Sequence, residues 1–93
     1  MISIESAKAH PDYKRIPLHI ISDIHAYVTL KRDVGYCLKS ILNNRLFEAF
    51  RSADTETQAA MRDIITFINS EVRSDCYGTP ERVKQWLCKD END

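Results

Sequence analysis

Glycine and proline are scarce in this chain, with two and three copies in 93 residues. With so few breakers, and with apolar residues recurring at helical rather than alternating spacing, a β-sheet is not expected. There are no internal repeats and no low-complexity segments. No apolar run approaches the length needed to cross a bilayer, which removes the membrane-spanning class. Residues 1–10 lack the basic start and apolar centre of a secretory signal, so the expected location is the cytoplasm. The three cysteines, Cys37, Cys76 and Cys88, cannot all pair within one chain, so reduced thiols are expected and a disulfide framework is not. Charge of one sign is also missing. Thirteen basic residues stand against fourteen acidic ones, a net charge of -1, which argues against general nucleic-acid binding because that depends on many cationic phosphate contacts.

What remains is enough for one small domain. A chain of this length buries about 60–65% of its unfolded surface around a single core. Its 43% hydrophobic and 29% charged residues are ordinary for a globular protein. The apolar residues recur at helical spacing, and the expected fold class is all-α, a compact single domain of four to five short helices over residues 16–88. Residues 1–15 read as a loosely ordered lead-in. Residues 89–93, with Asp90, Glu91 and Asp93, read as a frayed acidic tail.

Pro17 opens a first helix that buries Ile20, Ile24, Tyr27 and Val28, with Ile21 at its flank, and fades near Leu30. From Val34, the positions Cys37, Leu38, Ile41, Leu42, Leu46, Ala49, Phe50 and Ala53 keep one face apolar over five turns. Asn43 and Asn44 interrupt this segment with poor helix formers, leaving open one helix or two joined at an angle. Thr55 and Gln58 read as a capping box ahead of an amphipathic helix carrying Ala60, Met61, Ile64, Ile65, Phe67, Ile68 and Val72. The last helix is the most plainly written. Gly78 supplies the positive φ of a sharp reversal, Thr79 caps, Pro80 takes the first helical position, and Val83, Trp86 and Leu87 face inward as far as Cys88.

The reactive side chains form no recognised signature. His10, His19 and His25 show no i, i+3 or i, i+4 pair of the kind that holds a metal on one helix face, and the cysteines lack a C-x-x-C pair, so no metal and no cofactor are expected. His19 and Asp23 share a face and could form a general-base pair, but surface pairs of this kind are common. Cys37 sits near a helix start, where a thiol pKa is lowered, yet its apolar spacing marks it as core. Val34, Gly35 and Tyr36 do not make a phosphate loop. A helix-turn-helix reading of 33–50, with Asn43, Asn44 and Arg45 reaching bases, lacks the glycine-bearing turn and the charge. Arg73, Tyr77, Arg82, Lys84 and Trp86 combine aromatic rings with cations, the composition a nucleotide-sized ligand needs, although Trp86 is more naturally core than platform.

Two stretches carry a resemblance. The run Ile41–Asp54 contains Asn44, Leu46 and Ala49 in an N-x-L-x-x-A pattern that closes on Ala53 and Asp54. The run Cys76, Tyr77, Gly78, Thr79, Pro80, Glu81 leads to Trp86 and Leu87. Together they resemble a family of small tailed-phage and prophage proteins with an N-D-L-x-x-A segment ending in A-D and a C-W-G-S-P-E turn before a W-L pair. The similarity spans the last two thirds of the chain. Arg45 stands where that family has Asp, reversing a charge, Tyr77 stands where it has Trp, and a proline pair is missing near Asp33 and Val34. The resemblance implies an accessory protein of phage type and supplies a context more than a mechanism. Asn44 and Asp54 read as helix-end residues and Gly78 as a turn residue without invoking a ligand.

The expected function is therefore non-enzymatic: capture of a host component in defence or regulation, through exposed residues Tyr36, Arg45, Phe47, Arg73, Tyr77 and Arg82. Asn44, Asp54, Gly78, Pro80 and Trp86 are expected to be structural. The alternative is a homo-oligomeric sponge for a nucleotide-derived signal, held between subunits by Tyr77, Arg73 and Arg82. A third reading is a small enzyme using Cys37, or His19 with Asp23.

Overall fold

The computed structural model describes residues 1–88, and the acidic tail at 89–93 lies outside them. Among the described residues the chain forms seven α-helices and no strand. They are α1 (Ile4–Ala9), α2 (Leu18–Leu30), α3 (Tyr36–Leu42), α4 (Leu46–Ser52), α5 (Thr55–Ala59), α6 (Met61–Glu71) and α7 (Pro80–Leu87), with a 3-10 turn at Ser74–Cys76 before the last. The all-α single domain is as expected, and five of the helices have seven or more residues.

The lead-in differs from expectation. Residues 1–15 contain α1, capped by the Ser3 hydroxyl, which accepts from the Ser6 N–H. Ala7, Tyr13 and Ile16 are buried. The Tyr13 ring stacks on His10 at 4.3 Å and meets Phe67 edge-on at 5.0 Å, an arrangement that adds to its area burial. The Ile2 N–H donates to Glu71 Oε1 at 3.1 Å, tying the N-terminus to the end of α6. A short aromatic-bearing segment is thus held by tertiary contacts that its weak helical periodicity did not announce.

The long central helix is two. Asn44 takes a left-handed φ of 64°, a conformation asparagine tolerates better than most residues, and the Arg45 N–H closes the reversal on the Ser40 carbonyl at 2.8 Å. α4 then packs back on α3. The second amphipathic segment is also divided, at Ala60 (φ -97°, ψ 5°). Its N-cap is Asp54, whose carboxylate accepts from the Thr57 N–H at 2.8 Å, in place of the Thr55 and Gln58 box. The Gln58 amide instead donates to the Phe50 carbonyl at 2.8 Å, fastening α5 to the end of α4.

The C-terminal turn matches its sequence closely. Thr79 caps α7 by accepting from the Arg82 N–H, Pro80 is at the first turn, and Gly78 has φ 111°. The Gly78 N–H donates to the Leu42 carbonyl at 2.7 Å, so this turn seals the end of α3. Two buried hydrogen bonds fix the core beneath it. The Tyr27 hydroxyl donates to the Cys76 carbonyl at 2.6 Å, and Trp86 Nε1 donates to the Tyr27 carbonyl at 2.9 Å. Trp86 is therefore core. The chain measures 37 × 29 × 18 Å; an 18 Å short axis holds about two helix layers, given a helix diameter near 10 Å. Any ligand site must accordingly be a surface cleft or be completed by another molecule.

Candidate binding face and its clefts

α4 is two turns long and buries only Ala49. Around the helix Leu46, Phe50 and Phe47 fall within about 100° of one another, one contiguous stripe. They are exposed by 44%, 51% and 87%. Clustered apolar exposure of this kind on a globular domain marks a binding surface more often than scattered single residues do. Beside the stripe lies an open cleft of about 370 Å³ between the α3–α4 junction, α6 and the Tyr77–Gly78 turn. Its floor is Ile41, Ile65 and Ile68, with Leu46 on one wall, and Asn44 and Tyr77 stand at its polar edge. The Tyr77 hydroxyl donates to Asn69 Oδ1 at 3.3 Å. No charged side chain lines this cleft.

The six expected binding residues do not make one site. Phe47 and Arg45 belong to or adjoin the α4 face. Tyr36, 67% exposed, lies on the other flank of α4, over a groove it shares with Glu48, Arg51 and Ser52. Tyr77 is half-buried and packs on the core. Arg73 pairs with Asp75 at 2.9 Å, and Arg82 Nη1 donates to the Ser74 and Tyr77 carbonyls at 3.2 and 3.4 Å. The two arginines thus brace the 74–78 turn from its exposed side. Sequence spacing did not reveal a different cation pair. Lys31 Nζ lies 4.5 Å and the Arg73 guanidinium 5.7 Å from the centroid of the Trp86 ring, joining the end of α2 to the turn before α7.

A third cleft, of about 300 Å³, brings together His19 and Asp23 of α2, Cys37 of α3 and Asp54 at the start of α5. Sequence reasoning paired His19 with Asp23 but weighed Cys37 and Asp54 apart from them. The Cys37 thiol donates to the Ala49 carbonyl at 3.3 Å, and burial pushes its pKa up, only partly offset by Ser52. A thiol held protonated in this way is a poor nucleophile. Hydrogen bonds from the Thr57 hydroxyl and N–H hold the Asp54 carboxyl below the usual range, and the nearby His19 acts in the same direction. Among the described residues no three His, Cys, Asp or Glu side chains converge as metal ligands do.

Among the described residues no helix is long and apolar enough to cross a membrane. No protein-family model matches the chain, and no curated protein or solved structure matches it significantly.

Proposed function

We propose that the protein is a non-enzymatic binding protein of phage or prophage type that captures a host component in the host cytoplasm. The observation that carries this reading is the α4 face, where Phe47 stands 87% exposed beside Leu46, Phe50 and an uncharged cleft. Aromatic anchors next to a groove are the form that binding hot spots take. The raised pKa of the Cys37 thiol is in keeping with it. The test is capture of host components by the tagged full-length chain and by its Phe47→Ala variant. Loss of a stoichiometric partner on substitution supports the reading; capture undiminished by Phe47→Ala counts against the face.

A second reading, the homo-oligomeric sponge for a nucleotide-derived signal, has its own observation. Lys31 and Arg73 approach one ring from two elements and set two cations on one corner of a thin molecule. The clefts of the single chain are open, so a nucleotide would need walls from another copy to be enclosed. Its test is thermal shift with cyclic nucleotides on wild type and on a Lys31→Ala variant. A shift that weakens in the variant supports the sponge, and a strictly monomeric protein unshifted by any cyclic nucleotide removes it.

A further inference from the structure

We propose that the α4 face closes on a second copy of this chain, the Phe47 ring of each copy entering the cleft of the other over Ile65 and Ile68. The proposal rests on the oligomeric part of the second reading and names the contact. In such a pair the second copy holds the face that the first reading gives to a host component, so capture there competes with self-association.

The knob comes first. Phe47 is the most exposed of the large apolar side chains, and it stands on a short helix fixed at both ends, by the Arg45 N–H to Ser40 and by Gln58 to the Phe50 carbonyl. The backbone that carries it is therefore fixed before any partner arrives, which lowers the ordering cost of association. The hole comes second. A dry apolar cavity of about 150 Å³ is enough to hold a benzene ring, and the cleft offers about 370 Å³ over an isoleucine floor. None of its lining residues is charged, so the chemistry that fits is a neutral apolar insert; a charged one would lose its hydration without gaining a partner.

Placement decides the occupant. Leu46 lines the cleft and is the residue next to Phe47, so knob and hole abut on one face of one chain. When complementary features lie far apart, repeated contacts run on into fibres. When they lie side by side, a two-fold rotation satisfies both at once and closes the assembly. Area agrees. With aromatic side chains presenting about 150–250 Å² each, the exposed parts of Leu46, Phe47 and Phe50 amount to about 350 Å² per chain. Adding the cleft walls and rim brings the pair to the order of 1,000 Å², the lower edge of specific interfaces. The expected dimer is consequently one that dissociates on dilution.

The experiment is sedimentation velocity of the full chain over a dilution series, with three variants. Phe47→Ala removes the knob, and Thr66→Arg places a cation at the cleft edge. Lys8→Ala alters α1. All three positions are exposed, and circular dichroism checks that each variant is folded. Wild type and Lys8→Ala should dimerise alike, while Phe47→Ala and Thr66→Arg each weaken the dimer by at least about tenfold. Mixing those two variants should restore one of the two contacts, so the mixture associates more strongly than either variant alone. A wild type that is monomeric throughout overturns both the oligomeric reading and this contact, including the case in which Phe47 instead engages a different protein. A self-associated wild type indifferent to Phe47→Ala and Thr66→Arg overturns the contact while leaving the oligomer.

Discussion

Replacing Tyr27 with Phe removes one oxygen from the centre of the molecule and leaves its shape intact. The hydroxyl donates at 2.6 Å to the Cys76 carbonyl, and both residues are fully buried. Burial, and after it the proximity of Cys76 and Asp33, pushes the Tyr27 pKa far above its usual value, so the donor keeps its proton throughout the working pH range. Water cannot replace a donor lost there, and withdrawing one from a buried carbonyl costs about 1–3 kcal/mol. In a domain of this size each kcal/mol lowers Tm by about 4–8 °C. The effect should also be felt beyond Tyr27, because its own carbonyl accepts from Trp86 Nε1 at 2.9 Å. That chain of bonds links α2, the 74–76 turn and α7. The single tryptophan makes the assay direct: urea unfolding followed by Trp86 fluorescence, with the slope compared between wild type and Tyr27→Phe. A midpoint loss worth less than about 0.5 kcal/mol at unchanged slope, within the range of ordinary surface substitutions, would refute the view that this bond pins the C-terminal helix.

Further outcomes follow from single positions. Gly78→Ala forces a side chain onto φ 111° and places its Cβ 3.2 Å from Arg82 Nη1, so thermal unfolding should show a loss of about 1–3 kcal/mol. Asp54 titrates lower in the folded chain than its ordinary value; its contribution is present above the ordinary aspartate pKa and fades as pH falls through the folded one. Asp54→Asn, which keeps a cap, should flatten the acid side of a Tm-against-pH curve; an unchanged curve would contradict the assignment. Thiol labelling should proceed in the order Cys88, Cys37, Cys76, following their exposed, intermediate and buried states. Cys37 labelling as fast as Cys88 would show that its proton is not held.

The parts of the fold written locally were legible. Gly78, Thr79 and Pro80 act within four residues of one another, and the inward faces of α2 and α7 follow from apolar spacing alone. What the sequence concealed depends on distant partners. Tyr13 becomes core only because Phe67 and His10 receive it. Ala60 is a good helix former and divides a helix whose first turns are fastened elsewhere, by Asp54 and Gln58. Asn43 and Asn44 did mark the central break, but only the left-handed φ at Asn44 decided between one helix and two. The same distinction governs the site. Phe47 was readable as exposed because nothing in the helical pattern needed it inside. Arg73 and Arg82 also hold the Asp75 carboxylate and backbone carbonyls of the 74–77 turn, and sequence carries no trace of that until the turn is folded.

The most direct test of a binding face on α4 is native mass spectrometry of the purified full chain, alone and after incubation with host extract, beside its Phe47→Ala variant. The expected spectrum shows species heavier than the 10.8 kDa chain, as multiples of it or as a defined complex, which diminish in the variant. A bare single chain in every sample, identical between wild type and Phe47→Ala, would contradict the claim that this face exists to be covered.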